Sequence, residues 1–148
     1  MKIRTAIAVG SLVMLGATSA PCRLAADEVQ FTGREGQIEF VMPSQNIGCI
    51  FTPAGGTSVY KTPDGGPELQ CDRVEPSYIR VILGAAGSAR QITNVGDASC
   101  CGANNVLRYG QSWSGGPFAC DSSEAGLACR RGATGFSMSR AAINIAYP

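Results

Sequence analysis

Glycine and proline cut this chain into short pieces. Its 148 residues include 19 Gly and 8 Pro, and these fall between short apolar or alternating runs, with no long segment of convincing helical periodicity. Gln37–Phe40 alternates polar and apolar, and Asn46–Thr52 ends at Pro53-Ala54-Gly55-Gly56. Ser58–Thr62 precedes Pro63-Asp64-Gly65-Gly66-Pro67, a strong turn signal. Ser77–Leu83, rich in Tyr, Ile and Val, stops at Gly84-Ala85-Ala86-Gly87. Ala89–Val95, Asn105–Tyr109, Pro117–Asp121, Leu127–Arg131 and Phe136–Ser139 follow at similar spacing. Short strands at such intervals predict an all-β fold, a small disulfide-stapled antiparallel sandwich or barrel. Ser139–Ala146 reads equally as a strand or as one short C-terminal helix. Val81, Leu83, Trp113, Phe118, Leu127 and Phe136 are the expected core.

The first 26 residues read differently. Lys2 and Arg4 precede an uncharged, largely apolar run from Thr5 to Thr18, followed by small residues at Ala17, Ser19, Ala20, Ala25 and Ala26. That order is a secretory signal, and the run is short of the roughly 20 apolar residues of a membrane span. Cleavage is expected after Ala26, because a cut after Ala20 would place Pro21 next to the scissile bond. Residues 1–26 are therefore read as signal peptide and 27–148 as one disulfide-rich β domain, periplasmic or secreted, with no membrane span in the mature chain. Lipidation of Cys22 is the alternative, although Pro21 and Ser19 suit it poorly.

Cysteine parity supports the later cut. Of seven cysteines, loss of Cys22 leaves six: Cys49, Cys71, Cys100, Cys101, Cys120 and Cys129. An even set in an exported chain reads as a disulfide framework. Cys120 and Cys129 flank a turn-rich segment that would return the chain on itself as a hairpin, and they are paired here. Adjacent strands join Cys49 to Cys71 most simply. Cys100 and Cys101 then remain. Neighbouring side chains on a strand point to opposite faces, so a bond between these two needs a distorted turn, which Gly102 permits. Such a bond would be a candidate redox-sensitive switch. The open alternative is that one of them bonds Cys49 or Cys71.

Composition removes several functions. There is no histidine, so Ser-His-Asp and Cys-His catalysis and His-ligated zinc are excluded. No metal or cofactor is expected. Without Lys2, Arg4 and Arg23, the twelve basic residues fall to nine against eleven acidic ones, a net charge of −2. That is no nucleic-acid footprint. Gly110-Gln111-Ser112-Trp113-Ser114 resembles the start of a nucleophile elbow, but no His exists to activate Ser112. Ser58-Val59-Tyr60-Lys61 matches a Ser-x-x-Lys pattern, yet Val59 and Tyr60 favour a strand that would separate Ser58 from Lys61. The carboxylates Glu39, Glu68, Asp72, Glu75, Asp97, Asp121 and Glu124 are scattered, and the sequence places no pair of them. Arg130, Arg131 and Arg140 are a candidate anion patch, set against the plainer reading of solvated arginines on strands.

Several motifs together are similar to an exported bacterial family, domain of unknown function 6636. They are Pro43-Ser44 with Asn46-Ile47-Gly48-Cys49, then Leu69-Gln70-Cys71-Asp72, then the stretch Asn105–Arg140. That stretch contains Tyr109-Gly110-Gln111-Ser112-Trp113, Gly116-Pro117-Phe118-x-Cys120, Gly126-Leu127-x-Cys129 and Gly135-Phe136-x-x-Ser139-Arg140. The resemblance implies export, disulfides and a compact β-rich domain, and it implies no known activity. The chain departs from the pattern at Gln45, where Gly is common, and at Thr134, where His is expected. The expectation for function is a non-enzymatic binding or interaction module of the cell envelope, acting on an envelope protein or a small ligand. Its rivals are an inhibitor of an exported hydrolase and a carboxylate-based cell-wall glycan hydrolase.

Overall fold

The computed structural model describes residues 26–146. Residues 1–25 of the expected signal peptide, with Cys22, lie outside the described residues. Eleven strands follow in order: β1 (Asp27–Val29), β2 (Ile38–Val41), β3 (Ile47–Thr52), β4 (Glu68–Arg73), β5 (Ile79–Leu83), β6 (Arg90–Ile92), β7 (Gln111–Gly115), β8 (Phe118–Ser123), β9 (Gly126–Arg131), β10 (Thr134–Met138) and β11 (Ile143–Ala146). They form two sheets, one ordered β1-β7-β8-β9-β10-β11 and the other β2-β3-β4-β5-β6. Every pairing is antiparallel except the parallel β1–β7 pair.

The fold is all-β and sandwich-like. Two separate sheets replace the barrel alternative, and no helix occurs among the described residues. The ambiguous C-terminal stretch is settled by Ile143 and Ile145, which pack against the core from β11. Alternation along an edge strand, rather than a helical turn, lets both reach it. Three further readings need correction. Ser58–Thr62 is a loop, not a strand. Asn105–Tyr109 makes only one isolated bridge, Val106 to Val41. β4 and β7 are full strands that the punctuation did not mark.

The inner faces meet in an aromatic and disulfide core. Phe40 and Phe51 of the five-stranded sheet lie 5.0 and 5.7 Å, centroid to centroid, from Trp113 of the six-stranded sheet. Such tilted aromatic pairs add to the area they bury. All six expected core residues are buried there. Cys49 opposes Cys71 in the β3–β4 register, and Cys120 opposes Cys129 in β8–β9. Each is disulfide-bonded, with Cα atoms 4.1 Å apart. The sulfurs of Cys49, Cys71 and Cys129 lie within 4.8 Å of one another. One bridge from each sheet therefore meets the other at the centre, and none of these sulfurs is a free thiolate ligand. The third bond joins Cys100 to Cys101. Three cysteine pairs fit an oxidising compartment.

Candidate functional site

The sheets differ on their outer faces, and the difference begins with β4. Its sequence Glu68-Leu69-Gln70-Cys71-Asp72-Arg73 alternates polar and apolar, and a strand with one wet face would expose Glu68, Gln70 and Asp72. Instead Glu68 and Asp72 are buried and Gln70 is half-buried. The loops between β3 and β4 and after β6 rise over this face and wall a cleft of about 530 Å³. That volume falls within the range of small-molecule sites.

Arg80 organises the floor. It is the direct cross-strand partner of Asp72. Its Nε donates to Asp72 Oδ1 and its Nη2 to Oδ2, both at 2.7 Å, the two-pronged geometry that makes such pairs strong. Nη2 also donates to the Asp97 carbonyl at 3.0 Å. Tyr78 Oη donates to Asp72 Oδ2 at 2.5 Å and accepts from the Cys100 amide at 3.0 Å. With its amide oriented so that Oε1 accepts from Arg80 Nε and Nη1 at 3.2 Å, Gln70 joins the set. The hydrogen bond to Asp72, against the opposing effect of burial, holds the Arg80 guanidinium protonated above its ordinary value. Burial, then the Asp72 hydrogen bond, raises the Tyr78 phenol.

The Cys100–Cys101 bridge belongs to the same structure. A Cβ at Gly48 would stand 2.9 Å from Cys100 Sγ and 3.0 Å from Cys101 Sγ. The bridge therefore lies directly on the β3 backbone, and only Gly admits it. Both cysteines line a small depression of about 50 Å³ with Gly48, Ile50 and Asp72. This depression shares Ile50 and Ser99 with the larger cleft.

The opposite wall is the loop 53–67, which is tied down throughout. Ser58 donates from its amide and hydroxyl to Glu35 at 2.7 and 2.9 Å. Thr57 N donates to the Tyr60 carbonyl at 2.8 Å, Tyr60 N to Thr57 Oγ1 at 3.1 Å, and Lys61 Nζ to the Gly55 carbonyl at 2.8 Å. Tyr60 Oη donates to Glu68 Oε1 at 2.8 Å. Burial first, and Glu68 second, push the Tyr60 phenol up to about 12. The amide of Ser58, and then its hydroxyl, lower the Glu35 carboxyl. The apex presents Val59, 90% exposed.

No family model, curated protein or solved structure matches this chain.

The arginines named from the sequence do not converge. Arg130 is exposed on β9 and pairs with Asp121 at 2.6 Å. Its neighbour Arg131 points to the other face, where it donates to the Gly84 carbonyl and, at 2.7 Å, to the Gly87 carbonyl. In the β9–β10 ladder Arg130 sits opposite Gly135, whereas Leu127 sits opposite Met138. Arg140, two residues beyond Met138, is thus at the far end of that ladder. Ser58 and Lys61 are each engaged elsewhere, as given above, and Ser112 lies within β7. The sequence reading missed Arg80, Tyr78, Gln70 and Tyr60. One signal was available: a hairpin centred on Pro76 puts Asp72 opposite Arg80.

Proposed function

We propose that this chain is an exported, non-enzymatic binding module of the periplasm or the extracellular space, and that the cleft on the five-stranded sheet is its ligand site. One observation carries the reading. An outer sheet face that would ordinarily meet water is walled into a cleft whose polar groups are held in place before any ligand arrives. Preorganisation of this kind reduces the ordering cost of binding. The charge-then-apolar-then-small leader, the three disulfides and the family resemblance, itself without an assigned activity, support export. β1 starts at Asp27, so the expected cut after Ala26 leaves every strand whole.

Glu68 and Asp72 do not favour glycan hydrolysis. They stand four residues apart on one strand, about 13 Å at the usual rise, beyond the 5–9.5 Å of paired catalytic carboxyls. Each also holds a hydrogen-bond partner of its own. The inhibitor reading has one observation in its favour, the rigid loop that displays Val59.

The test is equilibrium dialysis of the exported protein against its own envelope extract, with retained compounds identified by mass spectrometry. A small molecule retained by the native chain and lost on Ile82→Trp, which fills the cleft, is the expected result. Retention that survives this substitution in a folded variant would overturn the assignment.

A further inference from the structure

Resting on the cleft as ligand site, we infer that its ligand is an uncharged saccharide. The argument starts from charge. The one guanidinium on the floor, Arg80, is neutralised by Asp72 through two hydrogen bonds. Asp97 also lines the cleft and gives its backbone carbonyl to Arg80 Nη2. Among the residues that line the cleft, an anionic ligand therefore meets no uncompensated positive charge; Arg90, opposite Ile82 on β6, stands outside that lining. A purely apolar ligand fares no better, because it would strip water from Gln37, Thr52, Gln70 and Arg80 without replacing it.

The unused hydrogen-bonding capacity has a definite character. Arg80 has five N–H donors. Nε points to Asp72 and Gln70, the two on Nη2 to Asp72 and the Asp97 carbonyl, and one on Nη1 to Gln70. One Nη1–H is left. The Gln70 carbonyl faces Arg80, so its NH₂ is left as well. Gln37 Nε2 makes one long bond, 3.4 Å, to Thr52 Oγ1. These are neutral donors and acceptors, or a donor whose charge is already balanced. They suit hydroxyl and acetamido groups, which both donate and accept.

The apolar part of the lining suits the same ligand. Ile50, Ile82, Ile92 and Val95 offer aliphatic surface for the C–H face of a sugar ring or for an acetamido methyl group. Tyr60 stands in the lining with its backbone held by Thr57 and its hydroxyl by Glu68. The ring is therefore fixed before binding, as a stacking platform must be if it is to lose little freedom.

The experiment titrates the native, oxidised protein by NMR with three probes. They are a panel of neutral oligosaccharides of hexose and N-acetylhexosamine, a uronic-acid oligosaccharide of matched length, and an apolar fluorescent dye. The expected result is saturable shifts at Ile82, Ile92 and Gly96 with the neutral panel, weakened tenfold or more by Tyr60→Ala and by Gln70→Ala. Tyr109→Ala, an exposed aromatic that does not line the cleft, leaves them unchanged. Gln70→Ala also loosens Arg80, so Tyr60→Ala, on a surface loop, keeps the test decisive. If the uronic-acid probe binds equally well, or only the dye enters, the ligand class is wrong and the cleft stands as a site. If no probe shifts these residues, both the ligand class and the cleft assignment fall.

Discussion

Among the described residues each sheet carries one carboxylate–arginine pair on its outer face, and the two are built to different purposes. Asp72 and Arg80 are direct cross-strand partners, with side chains 9% and 15% exposed. Asp121 and Arg130 are a diagonal pair on β8 and β9, with side chains 47% and 57% exposed. The distances are nearly the same, 2.7 and 2.6 Å. What differs is the cover. Short hairpins join β7 through β10, and water reaches the outer face of that sheet. Long loops before β4 and after β6 cover this part of the five-stranded sheet, so Asp72 must have its partners supplied by protein. The lesson is that contact distance says little about what an ion pair does, because desolvation sets both its cost and the penalty for breaking it.

The largest expected effect follows from this. Asp72→Ala leaves Arg80 covered and unpaired, and destabilises by about 3–5 kcal/mol. It also removes the acceptor of the Tyr78 hydroxyl, which itself accepts from the Cys100 amide. Urea unfolding of the oxidised protein measures it, and a loss below about 1 kcal/mol would erase the contrast between the two sheets.

The core disulfides come next, and here the sheets are alike. Both bridges join directly opposed residues on inner faces. In the loop-entropy account, replacing Cys49 and Cys71 by Ala costs about 3.4 kcal/mol and replacing Cys120 and Cys129 about 2.6 kcal/mol. The difference arises from sequence separations of 22 and 9. Equal losses would point to packing of the two bridges as the controlling factor. Accessibility separates the third bond from these. Cys100 and Cys101 are half-buried while the other four are fully buried, so a mild dithiol should reduce Cys100–Cys101 first. Mass mapping of alkylated peptides reads the order directly.

A smaller effect concerns alkaline pH. The Tyr60 phenol is raised to about 12 in the folded chain, by burial and then by Glu68. Its neutral form is the one the fold favours. The stability this contributes is complete below the ordinary tyrosine value of about 10 and is lost as pH rises through 12. In an ultraviolet titration Tyr60 should ionise well above the ordinary tyrosine value, and Glu68→Gln should bring it earlier.

Asp121→Asn is expected to change stability least, by about 0–1 kcal/mol, and less still at high salt. A loss as large as that of Asp72→Ala would show that cover is not the cause.

Much of this molecule was legible in local pattern. Glycine and proline at short intervals exclude long helices, and the short alternating or β-branched runs between them read as strands. Val81, Leu83, Phe118 and Leu127 were identifiable as core because they sit on strands whose alternation leaves them one apolar face. Cys120 and Cys129 were pairable because the turn between them folds the chain locally. The site was not legible in the same way. β4 escaped notice because Glu68, Gln70 and Asp72 look like a solvent face, and their burial depends on loops that pack over them from elsewhere in the chain. Ser58–Thr62 has the residues of a strand, yet Glu35, distant in sequence, holds it as a loop. Gly48 looks like any strand glycine until Cys100 and Cys101 are laid upon it. Side-chain alternation is a property of neighbours, and it reports which way a residue points. Whether water is there to meet it is decided by segments far away along the chain, and only the tertiary structure brings those together.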